Sequence, residues 1–306
     1  MENAAKAMVL SSFVADSLAL GAHWIYDTTL IQKEFGRVDA LLAPRPDSYH
    51  PSKKKGDFTH YGDQAFVLLE SVASRGSFQP ADFSTRWKTL FQDYPGYYDQ
   101  ATKATLSNLS KGMGPKEAGS PSGDLAGASR VAPLLFRYQE DLNALIEAVK
   151  AQTMMTHNHP QVVDAAVFFA HAAWLVLKGE DPVSAMEQVI EKRFTQSPIA
   201  QWFRDGIGSG DMDSVAAIAR FGQSCHIDDA LPGVVHLIAK YRTNLEEALV
   251  QSVMAGGDSA ARGMLVGMIL GAHLGYESIP PGWVSGLGRG KEILRLLDRI
   301  TRSRSE

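Results

Sequence analysis

Apolar residues recur along almost the whole chain at intervals of three and four positions, the spacing of one face of an α-helix. No stretch shows the sustained strict alternation typical of a half-buried strand. The clearest helix is 160–178, which opens on Pro160, ends before Gly179 and is apolar around most of its circumference. The pattern therefore predicts an all-α protein in which 160–178 is the central buried helix.

Residues typical of helix starts, and Pro- and Gly-rich segments that interrupt the helical pattern, divide the rest of the chain. A helix start is predicted at Asp181-Pro182, and another at Asn244, where Glu247 three residues later forms a capping-box pattern. None of the breaks has the length or the shift in composition of an interdomain linker, so we expect one compact domain over residues 1–306. Surface loops are predicted at three Pro- and Gly-rich segments, 43–57, 112–123 and 205–213.

Charge and apolar runs limit the partners. The chain has 30 Lys and Arg against 34 Asp and Glu, so its near-neutral balance favours small-molecule partners over nucleic acid. Charged residues or histidine break every apolar run before the roughly 18 residues that a membrane span needs, and Asp16 interrupts an N-terminal stretch that otherwise resembles a secretory leader. The one cysteine, Cys225, cannot form an internal disulfide. We expect a cytoplasmic protein with no membrane partner.

The basic run Lys53-Lys54-Lys55 lies in the first predicted loop. A run of lysines in a polar loop is usually solvated, and this is the interpretation we favour. A role facing a phosphate group is the alternative.

Three segments combine acidic or imidazole side chains with glycines at the ends of predicted helices, where backbone and side chains can converge on a ligand. Taken singly, an aspartate at a helix start is most often only a cap. His157 and His159 do not predict a zinc site, because no further Cys or His cluster accompanies them. The candidate residues are Asp16 and His23 in segment 15–27, His60 and Asp63 in segment 56–70, and Asp258 and Arg262 in segment 256–275.

Together and in this order, the segments resemble the ADP-ribosylglycohydrolase family, which includes lens-crystallin relatives. The N-terminal match is ADSLALG at 15–21, which is similar to the family's Gly-Asp-x-x-Gly helix. The central matches are SGDLAGASRVAPL at 122–134 and THNHPQVVDAA at 156–166, and the last third is matched by DDALPGVVHLI, GGDSAARG and IPPGW. The resemblance covers most of the chain and implies a compact all-helical domain.

Members of that family hold two magnesium ions between a Thr-Asp-Asp-Thr cluster and a Gly-Gly-Asp-x-Asp-Thr cluster. The first cluster reads Tyr61-Gly62-Asp63-Gln64 here, and the second keeps Asp258 alone of its aspartates. The resemblance therefore implies that Asp63 and Asp258 are the catalytic residues and bind at most one weak magnesium ion. It implies that the substrate-binding residues are Asp16, His23, His60, Asp124, Ser129, His157 and Arg262.

The implied activity is hydrolysis of the glycosidic bond at the ribose of an ADP-ribose-type adduct, free or on a modified protein. Two alternatives stay open, a non-catalytic binder of ADP-ribose-like ligands and a structural, crystallin-like protein. The polar residues kept in the implied cleft favour the enzyme. One further hypothesis is that Arg262, one turn after Asp258, pairs with it and fills part of the space of the second ion.

Overall fold

Residues 2–305 are described by a computed structural model, and 67% of the chain is helical. Within the described residues no strand forms, and the helices surround one continuous hydrophobic core. The prediction of an all-α fold is confirmed. The α-helices are α1 (Glu2–Ala19), α2 (Thr28–Phe35), α3 (His60–Arg75), α4 (Pro80–Leu90), α5 (Gln100–Ser110), α6 (Ala132–Arg137), α7 (Leu142–Thr156), α8 (Pro160–Leu177), α9 (Pro182–Val189), α10 (Pro198–Gly208), α11 (Ser214–Phe221), α12 (Ile227–Lys240), α13 (Leu245–Met254), α14 (Ser259–Leu274), α15 (Pro281–Gly286) and α16 (Gly290–Ser305).

The centre of the core is a closely packed pair of helices, α1 and α14. A Cβ atom added at Gly267 would lie 2.5 Å from the Ser11 carbonyl oxygen, and one added at Gly271 would lie 2.5 Å from the Ser11 hydroxyl. Gly263 faces Ala15 less closely, since a Cβ atom there would lie 3.4 Å from the Ala15 Cβ, an ordinary contact. At Gly267 and Gly271 only glycine permits the approach, and the order of the contacts makes the pair antiparallel. The C-terminal end of α1 therefore lies beside the N-terminal end of α14.

The prediction that 160–178 is the central helix is wrong. In α14, 14 of 16 residues are buried, against 12 of 18 in α8, because the small residues of α14 let neighbours approach on every side. Among residues 2–305, α8 is also long and apolar enough to cross a membrane by length and composition. Its window is 67% buried inside the protein, as expected of a core helix, although its run of residues is interrupted by Asp164 and His171.

The predicted helix starts are confirmed. Pro160 opens α8, and the Asp181 carboxylate accepts from the N–H groups at the start of α9. The Asn244 side chain accepts from the Glu247 N–H at 3.0 Å, but the Glu247 carboxylate binds Arg37, so only half of the predicted capping box forms. The loop predicted at 205–213 is too long, since α10 continues to Gly208.

Three loops are joined where α1 ends and α14 begins. The Trp24 N–H donates to the Gly257 carbonyl at 3.0 Å, and the Gly257 N–H donates to the Ile25 carbonyl at 2.8 Å. The Asp258 N–H donates to the Gln223 carbonyl at 3.0 Å. Trp24 has φ = 64°, the only positive φ of a non-glycine residue in the described chain. Strain of this kind persists where surrounding contacts fix the backbone, and it often marks a functional site.

Candidate functional site

A cavity of about 220 Å³ lies against these joined loops. Its lining combines aromatic rings with two carboxylates, which suits a ligand with flat faces and polar edges. A larger surface depression of about 360 Å³ lies at α10 and α11, and it holds none of the residues predicted from the sequence. The lining residues of the first cavity are Trp24, Tyr26, Tyr49, Tyr61, Tyr97, Asp99, Gln100, Asp124 and Cys225.

Trp24, Tyr49 and Tyr97 form the outer wall of the cavity. The ring centroids of Trp24 and Tyr49 lie 5.0 Å apart, and those of Trp24 and Tyr97 lie 5.2 Å apart, both nearly perpendicular. Tyr49 is 52% exposed, so the wall opens to solvent. Edge-to-face packing holds the three rings in fixed orientations. The wall can therefore bind a planar or apolar ligand face with little loss of side-chain entropy.

Asp99 lies on the wall of the cavity at the start of α5. Its carboxylate accepts from the Thr102 N–H at 2.6 Å and lies 3.2 Å from the His60 Nε2. Burial is the largest single effect and raises the pKa of Asp99, but the hydrogen bond with His60, the charges of His60 and His157 and the Thr102 N–H together outweigh it and hold that pKa well below its usual range. Asp99 is therefore ionised at neutral pH and brings a fixed negative charge to the cavity.

Asp124 is the second carboxylate of the cavity. The backbone of its segment pairs with the segment around Cys225, since the Leu125 N–H donates to the Cys225 carbonyl at 2.8 Å. The Asp124 carboxylate lies 3.6 Å from the His226 Nδ1 and is 16% exposed. Burial raises the pKa of the Cys225 thiol, and nearby acids add to the effect. Cys225 is thus a neutral thiol, and Asp124 is the accessible acid.

Asp258 lies behind the cavity and reaches it through Tyr61. Its side chain caps α14 by accepting from the Ala261 N–H, and the Tyr61 hydroxyl donates to it at 3.3 Å. Burial raises the pKa of Asp258 to about 7. The His23 Nδ1 lies 3.9 Å from this carboxylate, and burial holds the pKa of His23 well below its usual value. Asp258 is therefore poised to hold or release a proton near neutral pH, beside a neutral imidazole.

Asp16 and Asp63 form a separate acidic group at the start of α3. Asp16 is fully buried and accepts from the Thr59 N–H at 2.8 Å, the Thr59 hydroxyl at 2.6 Å and the Gly62 N–H at 3.2 Å. Burial raises its pKa to about 7 against these hydrogen bonds. The Asp63 carboxylate binds the Lys53 ammonium and the Tyr94 hydroxyl. Asp16 thus holds the start of α3 in place, and Asp63 is already paired.

The hypothesis of an Arg262–Asp258 ion pair is wrong, and so is the alternative that Arg262 faces solvent. Arg262 is 1% exposed, and its Nη2 donates to the carbonyl oxygens of Ser252 and Gly256, both at 2.7 Å. No ion pair within 4.0 Å joins Arg262 to a carboxylate in the described part of the chain. A long side chain on a helix points toward the preceding turn, so the guanidinium reaches the end of α13 instead.

His157 and Ser129, both predicted to bind substrate, lie inside the protein. His157 is 2% exposed, its Nδ1 lies 3.0 Å from the Thr156 hydroxyl, and burial lowers its pKa to about 4. Ser129 is fully buried and donates to the Ala126 carbonyl. Of the predicted substrate-binding residues, only Asp124 is among the residues that line the cavity, while His23 and His60 lie behind its wall.

The residues at the two family cluster positions do not fit a two-ion magnesium centre. The side-chain amide oxygen of Gln64 accepts from Trp87 and Arg130. The Asp63 carboxylate is bound by the Lys53 ammonium. In the second cluster, Ala260 and Ala261 are buried and offer no ligand oxygen. Among residues 2–305, no group of three or more His, Cys, Asp or Glu side chains could hold a metal ion. A single weak magnesium ion at Asp63 or Asp258 stays a prediction.

Sequence reasoning missed the aromatic wall, Asp99 and the role of Lys53. A signal for Asp99 was available, because Asp followed by a helical pattern is a cap and the preceding segment, YPGYYD at 94–99, is unusually aromatic. The prediction of a solvated loop fits Lys54 and Lys55, which are exposed, but is wrong for Lys53.

Comparison with known proteins gives a consistent assignment. The sequence model of the ADP-ribosylglycohydrolase family matches residues 1–306. Crystallin J1A from Tripedalia cystophora is 23% identical, over 97% of this chain and 96% of its own length. The ADP-ribosyl-[dinitrogen reductase] glycohydrolase of Rhodospirillum rubrum is 24% identical over 81% of this chain and 80% of its own. A solved structure, titled ADP-ribosylglycohydrolase-related protein complex, shares the fold with a TM-score of 0.79 at 21% identity, covering 99% of this chain and 98% of that one.

Proposed function

This chain belongs to the ADP-ribosylglycohydrolase family, and we propose that it hydrolyses the glycosidic bond at the ribose of an ADP-ribose-type adduct without the family's two-ion magnesium cluster. The observation that carries the proposal is the cavity itself, in which an aromatic wall faces Asp99 and Asp124. Two carboxylates beside one ligand are what hydrolysis of a glycosidic bond requires. The adduct is either a small molecule or a modified side chain of a protein.

The reaction breaks the bond from ribose C1 to the leaving atom while a water oxygen bonds to C1. Positive charge develops on the ribose as the bond breaks, and the ionised Asp99 stabilises it. Asp124, the accessible acid, takes one proton from the attacking water. The leaving group takes a proton from the Tyr61 hydroxyl as protonated Asp258, whose pKa burial raises to about 7, gives its own proton to the Tyr61 oxygen, which reverses the hydrogen bond between them. Asp258 is reprotonated from solvent, and Asp124 releases to solvent the proton that it took from water. The aromatic wall orients the adduct and limits the access of bulk water.

These roles retain Asp258 as a proton source and give Asp63 no direct step. The assignment of Asp63 to catalysis stays a prediction from the sequence, because its carboxylate is shared by Lys53 and Tyr94. A cytoplasmic location is also a proposal, supported by the single unpaired cysteine.

The experiment is a turnover assay on a panel of ADP-ribosylated arginine, serine and acetyl compounds, with chromatographic detection of free ADP-ribose in the presence of EDTA or Mg²⁺. We expect release from at least one substrate in EDTA, and a loss of about 100-fold or more for Asp124→Asn. Asp228→Asn is the matched control, because Asp228 is exposed at the start of α12, close to Asp124 in the fold. Activity that needs Mg²⁺, or an unchanged Asp124→Asn variant, contradicts the mechanism.

A structural role is the second candidate, and the match to Crystallin J1A along nearly the full length of both chains favours it. A structural protein would neither turn over any substrate of the panel nor bind ADP-ribose. A non-catalytic binder would bind ADP-ribose in calorimetry without turnover. The two measurements together separate the three functions.

A further inference from the structure

Lys53 is buried against Asp63, although it comes from a lysine-rich loop. Both side chains are 12% exposed, and the Lys53 Nζ donates to the Asp63 Oδ2. The Tyr94 hydroxyl donates to the same oxygen at 2.6 Å, and the Lys53 Nζ lies 4.9 Å from the centroid of the Tyr94 ring. Two donors therefore share one carboxylate oxygen, and the face of the Tyr94 ring lies beside the ammonium. Removing one partner of such a buried ion pair costs more stability than removing one partner of an exposed pair, because the other charge is left buried and unpaired.

The loop that carries Lys53 is held in place on both sides. The Lys53 N–H donates to the His50 carbonyl at 3.0 Å, and the Lys54 N–H donates to the Asp57 carboxylate at 2.7 Å. Gly56 has φ = 86°, and a Cβ atom there would lie 2.2 Å from the Gly286 carbonyl oxygen, so the loop packs tightly on the end of α15. The backbone that carries Lys53 is therefore held within reach of Asp63.

The charge of Lys53 acts on two carboxylates. Asp16 and Asp63 flank Gly62, and a Cβ atom on Gly62 would lie 2.4 Å from the Asp16 carboxylate. The charge of Asp63 adds to burial in raising the pKa of Asp16, and the charge of Lys53 opposes it. Two acids in a partly dry site need a cation nearby. Among residues 2–305, Lys53 is the cation that contacts this group.

Asp63 stands at a position that holds metal in the family, but in this chain its Oδ2 already accepts from Lys53 and Tyr94. A divalent cation on that oxygen would have to displace the Lys53 ammonium, and two positive groups would compete for one carboxylate. We propose that Lys53 is a built-in cation that replaces a metal ion at Asp63, which makes the site independent of divalent metal. The proposal does not depend on whether the protein is an enzyme.

The test uses the full chain as wild type, Lys53→Met and Lys54→Met. Methionine keeps most of the length of the side chain and removes the charge, and Lys54 is the matched control because it is the exposed neighbour in the same loop. Each protein is melted in EDTA, in Mg²⁺ and in Mn²⁺ at equal ionic strength, and Mn²⁺ binding is measured directly by electron paramagnetic resonance.

We expect the wild type and Lys54→Met to bind no Mn²⁺ in this assay and to melt at the same temperature in all three solutions. In EDTA, Lys53→Met should melt lower by roughly 4 °C or more, because Asp63 is left without its cation. Mn²⁺ and Mg²⁺ should bind to this variant and restore part of the loss. Gain of metal binding is the readout that a merely structural ion pair would not produce.

Several outcomes overturn the proposal. Binding of Mn²⁺ to the wild type would show that Lys53 does not exclude metal. If Lys53→Met is destabilised but binds no Mn²⁺, Lys53 and Asp63 form an ordinary ion pair that replaces no metal. A Lys53→Met variant as stable as the wild type shows that the charge is not needed. If Lys53→Met does not fold, the Mn²⁺ titration of the wild type and of Lys53→Arg decides, since both keep the charge and should bind no metal.

Discussion

Replacement of Arg262 by methionine is expected to destabilise the protein through two carbonyl groups and not through an acidic partner. The guanidinium donates to the carbonyl oxygens of Ser252 and Gly256, both at 2.7 Å, in a buried position between α13 and α14. Methionine is apolar and of similar length, so it leaves both oxygens without these donors. Each buried oxygen that loses its partner costs about 1–3 kcal/mol.

Part of this loss is offset, because the charged guanidinium is itself costly to bury. Burial lowers the pKa of Arg262 to about 10 although the charge of Asp258 opposes it, which corresponds to a net penalty of roughly 3 kcal/mol on the charged form. Arg262 also holds the turn at Gly256 on which the Asp258 cap depends. We therefore expect a net loss of roughly 2–3 kcal/mol in the free energy of unfolding, or a Tm lower by about 4–12 °C.

The assay is urea unfolding followed by circular dichroism at neutral pH, with Arg204→Met as the control, because Arg204 is exposed on α10. The control should change the free energy of unfolding by less than about 0.5 kcal/mol. A loss below about 1 kcal/mol for Arg262→Met, at an unchanged denaturant slope, would refute the reasoning, since it would mean that the two carbonyl groups are satisfied without the guanidinium.

Three further predictions concern the neighbouring elements. Burial raises the pKa of Asp258 to about 7 in the folded protein. The stability that its protonated form contributes is therefore complete below the unfolded value near 3.8 and is lost as pH rises to 7. Asp258→Asn cannot ionise, so urea unfolding should show it gaining stability relative to the wild type between pH 5 and 7.5, by up to about 4 kcal/mol. Gly267→Ala places a Cβ atom 2.5 Å from the Ser11 carbonyl oxygen and should cost roughly 1–3 kcal/mol, whereas an equally stable variant would mean that α1 and α14 can separate freely. We expect ADP-ribose to raise the Tm of the wild type. Trp24→Ala should abolish that rise, whereas Tyr276→Ala, which removes an exposed aromatic residue away from the cavity, should keep it.

The fold was predictable because helical periodicity is local and repeats along the whole chain. The centre of the core was not, because apolar character points to α8, whereas the decisive feature of α14 is the small size of its residues. A glycine lowers the helical propensity of a sequence, yet Gly267 and Gly271 are what bring two backbones together. That contact joins distant parts of the chain, and sequence periodicity gives no information about it.

In the candidate site, too, local contacts were predictable from the sequence and contacts between distant segments were not. For Asp258 taken alone the sequence favoured a helix cap, and the structure shows that contact because it depends on a local pattern; its assignment to catalysis and metal binding stays a prediction. The predicted pairing of Arg262 with Asp258 was wrong because helical spacing shows on which face of the helix a residue lies, but not which atoms the end of a long side chain reaches. The pairing of Lys53 with Asp63 spans ten residues through an irregular loop, and the aromatic wall joins three loops. Such contacts are set by the packing of the helices behind them.

The antiparallel pairing of α1 with α14 also affects how the chain folds during its synthesis. The two helices lie roughly 250 residues apart in sequence, so during synthesis α1 leaves the ribosome long before its main partner exists. Closing so long a loop is costly and slow, and a chain with distant contacts folds later and passes through exposed intermediates. The turn at Gly257 and the cap at Asp258 reach their places only with α14. A chain released before α14 is made would therefore have many of its other helices formed but no completed cavity. The apolar surface of α1 that α14 normally covers would be exposed, and chaperones bind such surfaces.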